Sequence, residues 1–205
     1  MRTCTVVTAF LLGGLLWVST SPAQEMVKES STGKSFPTTV KCSYGGSDYT
    51  MDLTGVTVRK KFIFKVYGVA HYMQGAPHGK TEDVLNYVQT DGQAKQLTMV
   101  FVRDVDAGKI RETYMDGFHE NAGTDEMNAI KASVAQFVGF FDRDVKENDE
   151  FVLRWLPGGT VLATVAGTEK PAIVDARFAR VLWSIWFGEN SIVDRDELVG
   201  RLITK

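Results

Sequence analysis

Residues 59–73 read RKKFIFKVYGVAHYM: three cations, then a run almost wholly apolar or aromatic that still carries Lys65, Tyr67 and His71. Alternation along an extended chain places Phe62, Phe64, Val66, Gly68, Ala70 and Tyr72 on one face. Ile63, Lys65, Tyr67, Val69, His71 and Met73 fall on the other. The first face is uniformly apolar or aromatic and the second is mixed. The stretch therefore reads as one long buried strand over 62–73, and the polar groups of its mixed face need a reason to be there.

Working outward, TTVKCSY (38–44) and SDYTMDLTGVTV (47–58) alternate loosely around Gly45-Gly46, which predicts two strands joined by a turn. Thr81 is placed to cap a short helix through Val88, with Glu82 and Asp83 in its first turn. KQLTMVFVRD (95–104) is another strand. Asp106 caps a helix that lines up Ile110, Tyr114 and Phe118. Thr124 caps the next, with Met127, Ile130, Val134, Phe137, Val138 and Phe141 on one face. EFVLRWL and TVLATVAG flank Pro157-Gly158-Gly159, a hairpin signature. A helix from Asp175 to Phe187 carries Phe178, Leu182, Ile185 and Trp186 on its apolar stripe, and Asp194 with Glu197 forms a capping-box pattern. Strands, then helices, a hairpin and more helices predict an α+β fold: an antiparallel sheet with helices on one face.

The N-terminus reads differently. Arg2, the apolar stretch VVTAFLLGGLLWV (6–18) and the small residues of SPA (21–23) form a secretory leader, cleaved after Ala23. An uncleaved anchor is the alternative, although a span needs roughly 20 apolar residues. The expected layout is a signal peptide over 1–23, a flexible polar lead-in over 24–37 and one domain over 38–205. Leader removal leaves Cys42 alone, so no internal disulfide forms and burial is the simplest fate of the thiol. A net charge of −2 with no basic stripe argues against nucleic acid. His71, His78 and His119 lack ligand spacing, and no glycine pattern follows a strand as a nucleotide site requires, so neither a metal nor a cofactor is expected.

GVTVRKKFIFKVYGVAHYM (55–73) and VLWSIWFGENSIVDRDELVGRL (181–202), with the order of elements between them, resemble the chalcone isomerase fold family over roughly residues 38–203. The resemblance implies an open-faced β-sandwich, in which a large antiparallel sheet carries a layer of helices over a ligand cleft. That family includes plant isomerases that close chalcones into flavanones, plastid fatty-acid-binding proteins, and bacterial chalcone isomerase-like proteins. The leader and the RKKFIFKVY wording are most similar to the bacterial group, which implies a periplasmic location.

Chalcone cyclisation needs a stabilised, oriented phenolate and a proton source for the enolate. Arg59 sits at the family's arginine position. The positions equated with the isomerases' Tyr, Lys and Asn hold Ile110, Thr113 and Gly117, and their C-terminal helix Thr becomes Ile185. A slip of one residue would bring in Tyr114 and Ser184. The resemblance therefore assigns no catalytic residue. It implies instead a binder of a small hydrophobic or amphipathic acid, such as a fatty acid, with Arg59 and Tyr67 holding the carboxylate and Tyr114 and Trp186 lining the cleft. A guanidinium fork and a phenol suit an acid head group within an apolar wall. Along one straight strand Arg59 and Tyr67 would lie about 26 Å apart, so the chain must bend sharply near Lys60–Lys61 for them to share a ligand. Three other readings stay open: Arg59 in a solvated turn and Tyr67 in the core; an intramolecular lyase; and a scaffold whose cleft is closed by Trp186 and Phe140.

Overall fold

The computed structural model describes residues 24–204, and the expected leader over 1–23 lies outside them. The chain opens with a small hairpin of β1 (Met26–Lys28) and β2 (Ser35–Pro37). A meander follows: β3 (Thr39–Tyr44), β4 (Ser47–Lys61) and β5 (Phe64–Met73). After α1 (Thr81–Val88) come β6 (Lys95–Phe101), α2 (Ala107–Asn121) and α3 (Thr124–Val138). The chain ends with β7 (Glu150–Leu156), β8 (Thr160–Val165), β9 (Thr168–Glu169), β10 (Ile173–Val174), α4 (Ala176–Phe187) and α5 (Arg195–Leu198). The main sheet runs β10-β8-β7-β6-β5-β4-β3, with β9 paired to β8 and every pair antiparallel. The fold is α+β, with a large antiparallel sheet and helices packed on one face.

The opening stretch holds two strands where one was expected. The turn falls at Phe62–Ile63, between Lys61 and Phe64, and Phe62 takes φ 55°. Neither residue is a usual turn former, so the apolar run conceals the reversal. The hairpin also carries two bulges. Arg59 pairs with Tyr67 but Lys60 pairs with Lys65, leaving Val66 as the extra residue on β5. Leu53 pairs with Tyr72 but Gly55 with His71, leaving Thr54 as the extra residue on β4. A bulge shifts the side-chain phase by one residue. Strict alternation separated Val66 and Phe64 from Tyr67, yet all three line one cavity, while Lys65 turns away and donates to the Ser31 carbonyl.

Tyr67, Val69 and Met73 point into the main core beneath α2, α3 and α4, where Phe118, Phe137, Phe178, Trp183 and Trp186 are buried. Full burial of side chains of this size contributes roughly 1.5–3 kcal/mol each, so α4, buried along most of its length, is the keystone of the helical layer. The opposite sheet face has a smaller core of Met51, Leu53, Ala70 and Tyr72, closed by Phe36. Residues 24–37 thus depart from the expected polar lead-in: they form β1 and β2, and Phe36 anchors them to the sheet. Cys42 is half-buried on the edge strand β3, short of the burial expected.

Helix starts follow the expected chemistry in part. Asp106 accepts from the Lys109 amide, and Asp175 from those of Arg177 and Phe178. Thr81 and Thr124 are instead the first residues of their helices, capped by Lys80 and Gly123 without side-chain bonds. Asp194 caps α5, but Glu197 does not reach back, because its carboxylate accepts from the Thr57 hydroxyl on β4. Gly55 permits that docking: a Cβ there would lie 2.0 Å from the Glu197 carbonyl oxygen.

Candidate ligand-binding site

The bulged hairpin of β4 and β5, the start of α2 and the end of α4 enclose a cavity of about 350 Å³. Its deeper wall is buried and mostly apolar: Phe101, Ile110, Tyr114, Ile185 and Trp186. Its outer rim is exposed and charged, with Arg103, Asp104, Asp106 and Lys109 beside Phe62 and Phe64. The four site residues expected from sequence, Arg59, Tyr67, Tyr114 and Trp186, all line this cavity. The hairpin makes Arg59 and Tyr67 direct cross-strand partners, and directly opposed residues sit about 5 Å apart. The reversal that joins them comes one residue beyond the expected bend at Lys60–Lys61.

Tyr67 is 7 % exposed and packs edge-on against Phe101 at 5.3 Å between centroids. Its hydroxyl accepts from Trp186 Nε1 at 3.2 Å, which leaves its own proton for another acceptor. Burial pushes the phenol up to about 12, against the opposing pull of the Arg59 charge and the Trp186 bond. The group therefore stays a neutral donor at ordinary pH. Burial raises Tyr114 likewise, with the nearby Tyr67 adding to the shift. Tyr114 stacks on Phe141 at 4.8 Å, which fixes it in the wall.

Arg59 is half-buried. Its Nη1 donates to the Ile192 carbonyl at 2.6 Å. A guanidinium has five N–H donors, and none of the four ion pairs among the described residues includes Arg59. Arg59 thus presents a half-buried cation with spare donors beside a neutral phenol donor, next to the apolar wall of the cavity.

The positions equated with isomerase polar groups look different. Ile110, Thr113 and Ile185 line the cavity, so one hydroxyl faces it from this set. Gly117 lies behind, and a Cβ there would meet Ile185 Cδ1 at 3.1 Å. Ser184 turns to the Val181 carbonyl. Trp186 forms wall and does not close the cleft with Phe140, which packs 5.9 Å from Phe137 in the core. Sequence reading did not single out Phe101, Arg103 or Ile192. Their place depends on the bulge and on the loop after α4, for which the local sequence carries no signal.

His71, on the helix-facing side of the same strand, is closed off. It is 0 % exposed and packs against Phe187 at 4.6 Å. Thr54 Oγ1 lies 2.7 Å from Nδ1 and also 2.7 Å from the Leu198 carbonyl, and Trp183 Nε1 donates to Nε2 at 3.5 Å. The hydroxyl's single proton goes to a carbonyl, so Nδ1 carries the ring proton and Nε2 accepts. Burial, assisted by the Lys95 charge, holds His71 well below its ordinary pKa. Lys95 is fully buried, with Nζ 3.7 Å from the Trp155 ring centroid and bonded to the Thr90 carbonyl. Burial lowers it to about 8, against the opposing pull of Asp91. Among the described residues, no group of three or more His, Cys, Asp or Glu is placed to hold a metal, and no helix is long and apolar enough to cross a membrane.

Comparison with known proteins agrees with this architecture. A solved fatty-acid binding protein from Arabidopsis thaliana superposes with a TM-score of 0.64 at 17 % identity, covering 87 % of this chain and 96 % of that one. At that identity the likeness concerns the fold. Among curated proteins no sequence match is found. The sequence profile described as chalcone isomerase-like matches residues 27–198, from the first strand to the last helix. The chain belongs to the chalcone isomerase-like family.

Proposed function

We propose that this protein binds one amphipathic acid, of the fatty-acid class, without transforming it. One observation carries the reading: Arg59 and Tyr67 face each other across β4 and β5 on the wall of an apolar cavity, with donors to spare. The carboxylate accepts from both, and the acyl chain packs along Phe101, Ile110, Tyr114, Ile185 and Trp186. The volume suits a small-molecule site, typically about 300–1,000 Å³. The plant protein of the same fold is itself a fatty-acid binding protein, which supports the same ligand class here. Apolar groups at positions 110 and 185 leave little to stabilise a phenolate or organise water, so a hydroxylated chalcone should cyclise at its spontaneous rate.

Equilibrium titration with oleate tests the reading. Arg59→Ala should weaken binding at least tenfold, about 1.4 kcal/mol, because truncation strands an anion in an apolar cavity. Oleate affinity that is immeasurable, or indifferent to Arg59→Ala, would refute it. Export with cleavage after Ala23, to a bacterial periplasm, belongs to the same proposal and rests on the leader-like sequence. Intact mass from the native host decides that part, since a species retaining residues 1–23 contradicts it.

A further inference from the structure

At the tip of the β4–β5 hairpin, Phe62 is 88 % exposed, Ile63 86 % and Phe64 54 %. Hairpin turns favour Asn and Gly, because L side chains resist positive φ. Phe62 nonetheless occupies the left-handed region at φ 55°. Folding gains nothing from that choice: the ring is strained in backbone and naked in water. Three large apolar side chains in a row at a tip are therefore not explained by the core.

The electrostatic surroundings point one way. Residues 59–65 hold Arg59, Lys60, Lys61 and Lys65 and no acid. The Arg103 guanidinium lies 4.9 Å over the Phe64 ring. The acids on the same rim are engaged, Asp104 with Lys146 at 3.0 Å and with the Glu147 amide, Asp106 as the cap of α2, and on α2 Glu112 pairs with Lys109. An apolar wedge inside a cationic collar matches the interface of an anionic bilayer, where aromatic and aliphatic groups bury and lysines meet head groups. Phe62 and Phe64 also form the rim of the cavity.

We infer that the Phe62–Phe64 tip is a membrane-docking element, which seats the cavity mouth on an anionic lipid surface so that an acyl ligand passes between bilayer and cavity without crossing water. The cargo in this statement rests on the fatty-acid reading above; the docking does not.

The test is sedimentation of the full chain with vesicles of phosphatidylcholine and phosphatidylglycerol, three to one, in low salt, against vesicles of phosphatidylcholine alone. Wild type should partition to the anionic vesicles and be released by salt. Ile63→Gly with Lys60→Glu should lose at least tenfold in partition, since each cation at such a surface is worth on the order of fivefold. The same pair, off the cavity wall, should keep its oleate affinity in solution. Tyr67→Phe, which alters no charge, should do the reverse, lowering oleate affinity with partition unchanged, so failure of docking and failure of the fatty-acid reading are separable. Phe62→Asn should hold or raise thermal stability, because Asn accepts the left-handed backbone, and should still lose vesicle partition. To read the tip itself, Phe62→Trp should add fluorescence that brominated lipid quenches, beyond the parent chain's signal. The inference is overturned by partition unchanged in the tip variants, by Trp at 62 escaping quenching, or by a tip that drives self-association and not vesicle binding. A Phe62→Asn protein that melts well below wild type would also overturn it, by giving the ring a folding role.

Discussion

Tyr67 and His71 stand on one strand and both look toward the helices, yet they have opposite fates. His71 is met on every side: Thr54 on one nitrogen, Trp183 on the other, Phe187 across the ring. Tyr67 and its neighbour Arg59 accept or make one bond each and keep donors in reserve beside open volume. The difference lies in what the bulges do. At Thr54 the extra residue delivers a hydroxyl that completes a polar cluster. At Val66 it swings an apolar side chain to the cavity side, and the neighbouring Tyr67 and Arg59 keep one partner each with donors to spare. Buried polar groups are expected to find partners; the inventory closes at the His71 ring and stays open at Arg59 and Tyr67.

The sharpest way to break this contrast is His71→Ala, which empties a packed site and strands Thr54. Chemical denaturation should show a loss of about 3 kcal/mol, while the folded fraction binds oleate as wild type does. Oleate affinity falling in step with stability would make the two regions one. Next comes pH. Lys95 sits at about 8 in the fold and near 10.5 when unfolded, so between those values the unfolded chain binds more protons and stability should rise with pH. The rise is at most about 3 kcal/mol, reduced because the Trp155 face and the Thr90 carbonyl favour the charged form. Lys95→Met should flatten that segment of a stability–pH curve. In the cavity, Arg59→Lys should cost about tenfold in oleate affinity, near 1.4 kcal/mol, because a point charge replaces a fork. The smallest effect belongs to Tyr67→Phe, about 1 kcal/mol or fivefold for one hydrogen bond, with stability nearly unchanged. A larger loss of stability than of affinity would return Tyr67 to the core.

The architecture was readable where periodicity and caps agree, as at α2 and α4, where periodicity alone sufficed, as at α3, and where turn residues mark a reversal, as at Pro157-Gly158-Gly159. The cavity's polar pair was readable only through family resemblance. The geometry that unites it was not, because a reversal made of Phe62 and Ile63 carries no turn residue. The same blindness hid the bulge at Val66, since an extra apolar residue in an apolar strand leaves no mark on alternation. Residues 24–37 were misjudged for a related reason: among polar neighbours, a single Phe36 settles where the segment docks, and one residue has no period.

The close contact between Gly117 and Ile185 bears on how such a fold changes occupation. A Cβ at position 117 would come within 3.1–3.3 Å of three Ile185 atoms, so any larger residue there requires the Ile185 side chain to yield by a few tenths of an ångström. Shrinking position 185 first leaves a void between α2 and α4. The two positions share one contact, so their changes should couple in a double-mutant cycle. Polar groups introduced at both sites should therefore be read as a pair and not as two independent changes. The crossing of α2 and α4 thereby makes position 117 and position 185 a single design variable.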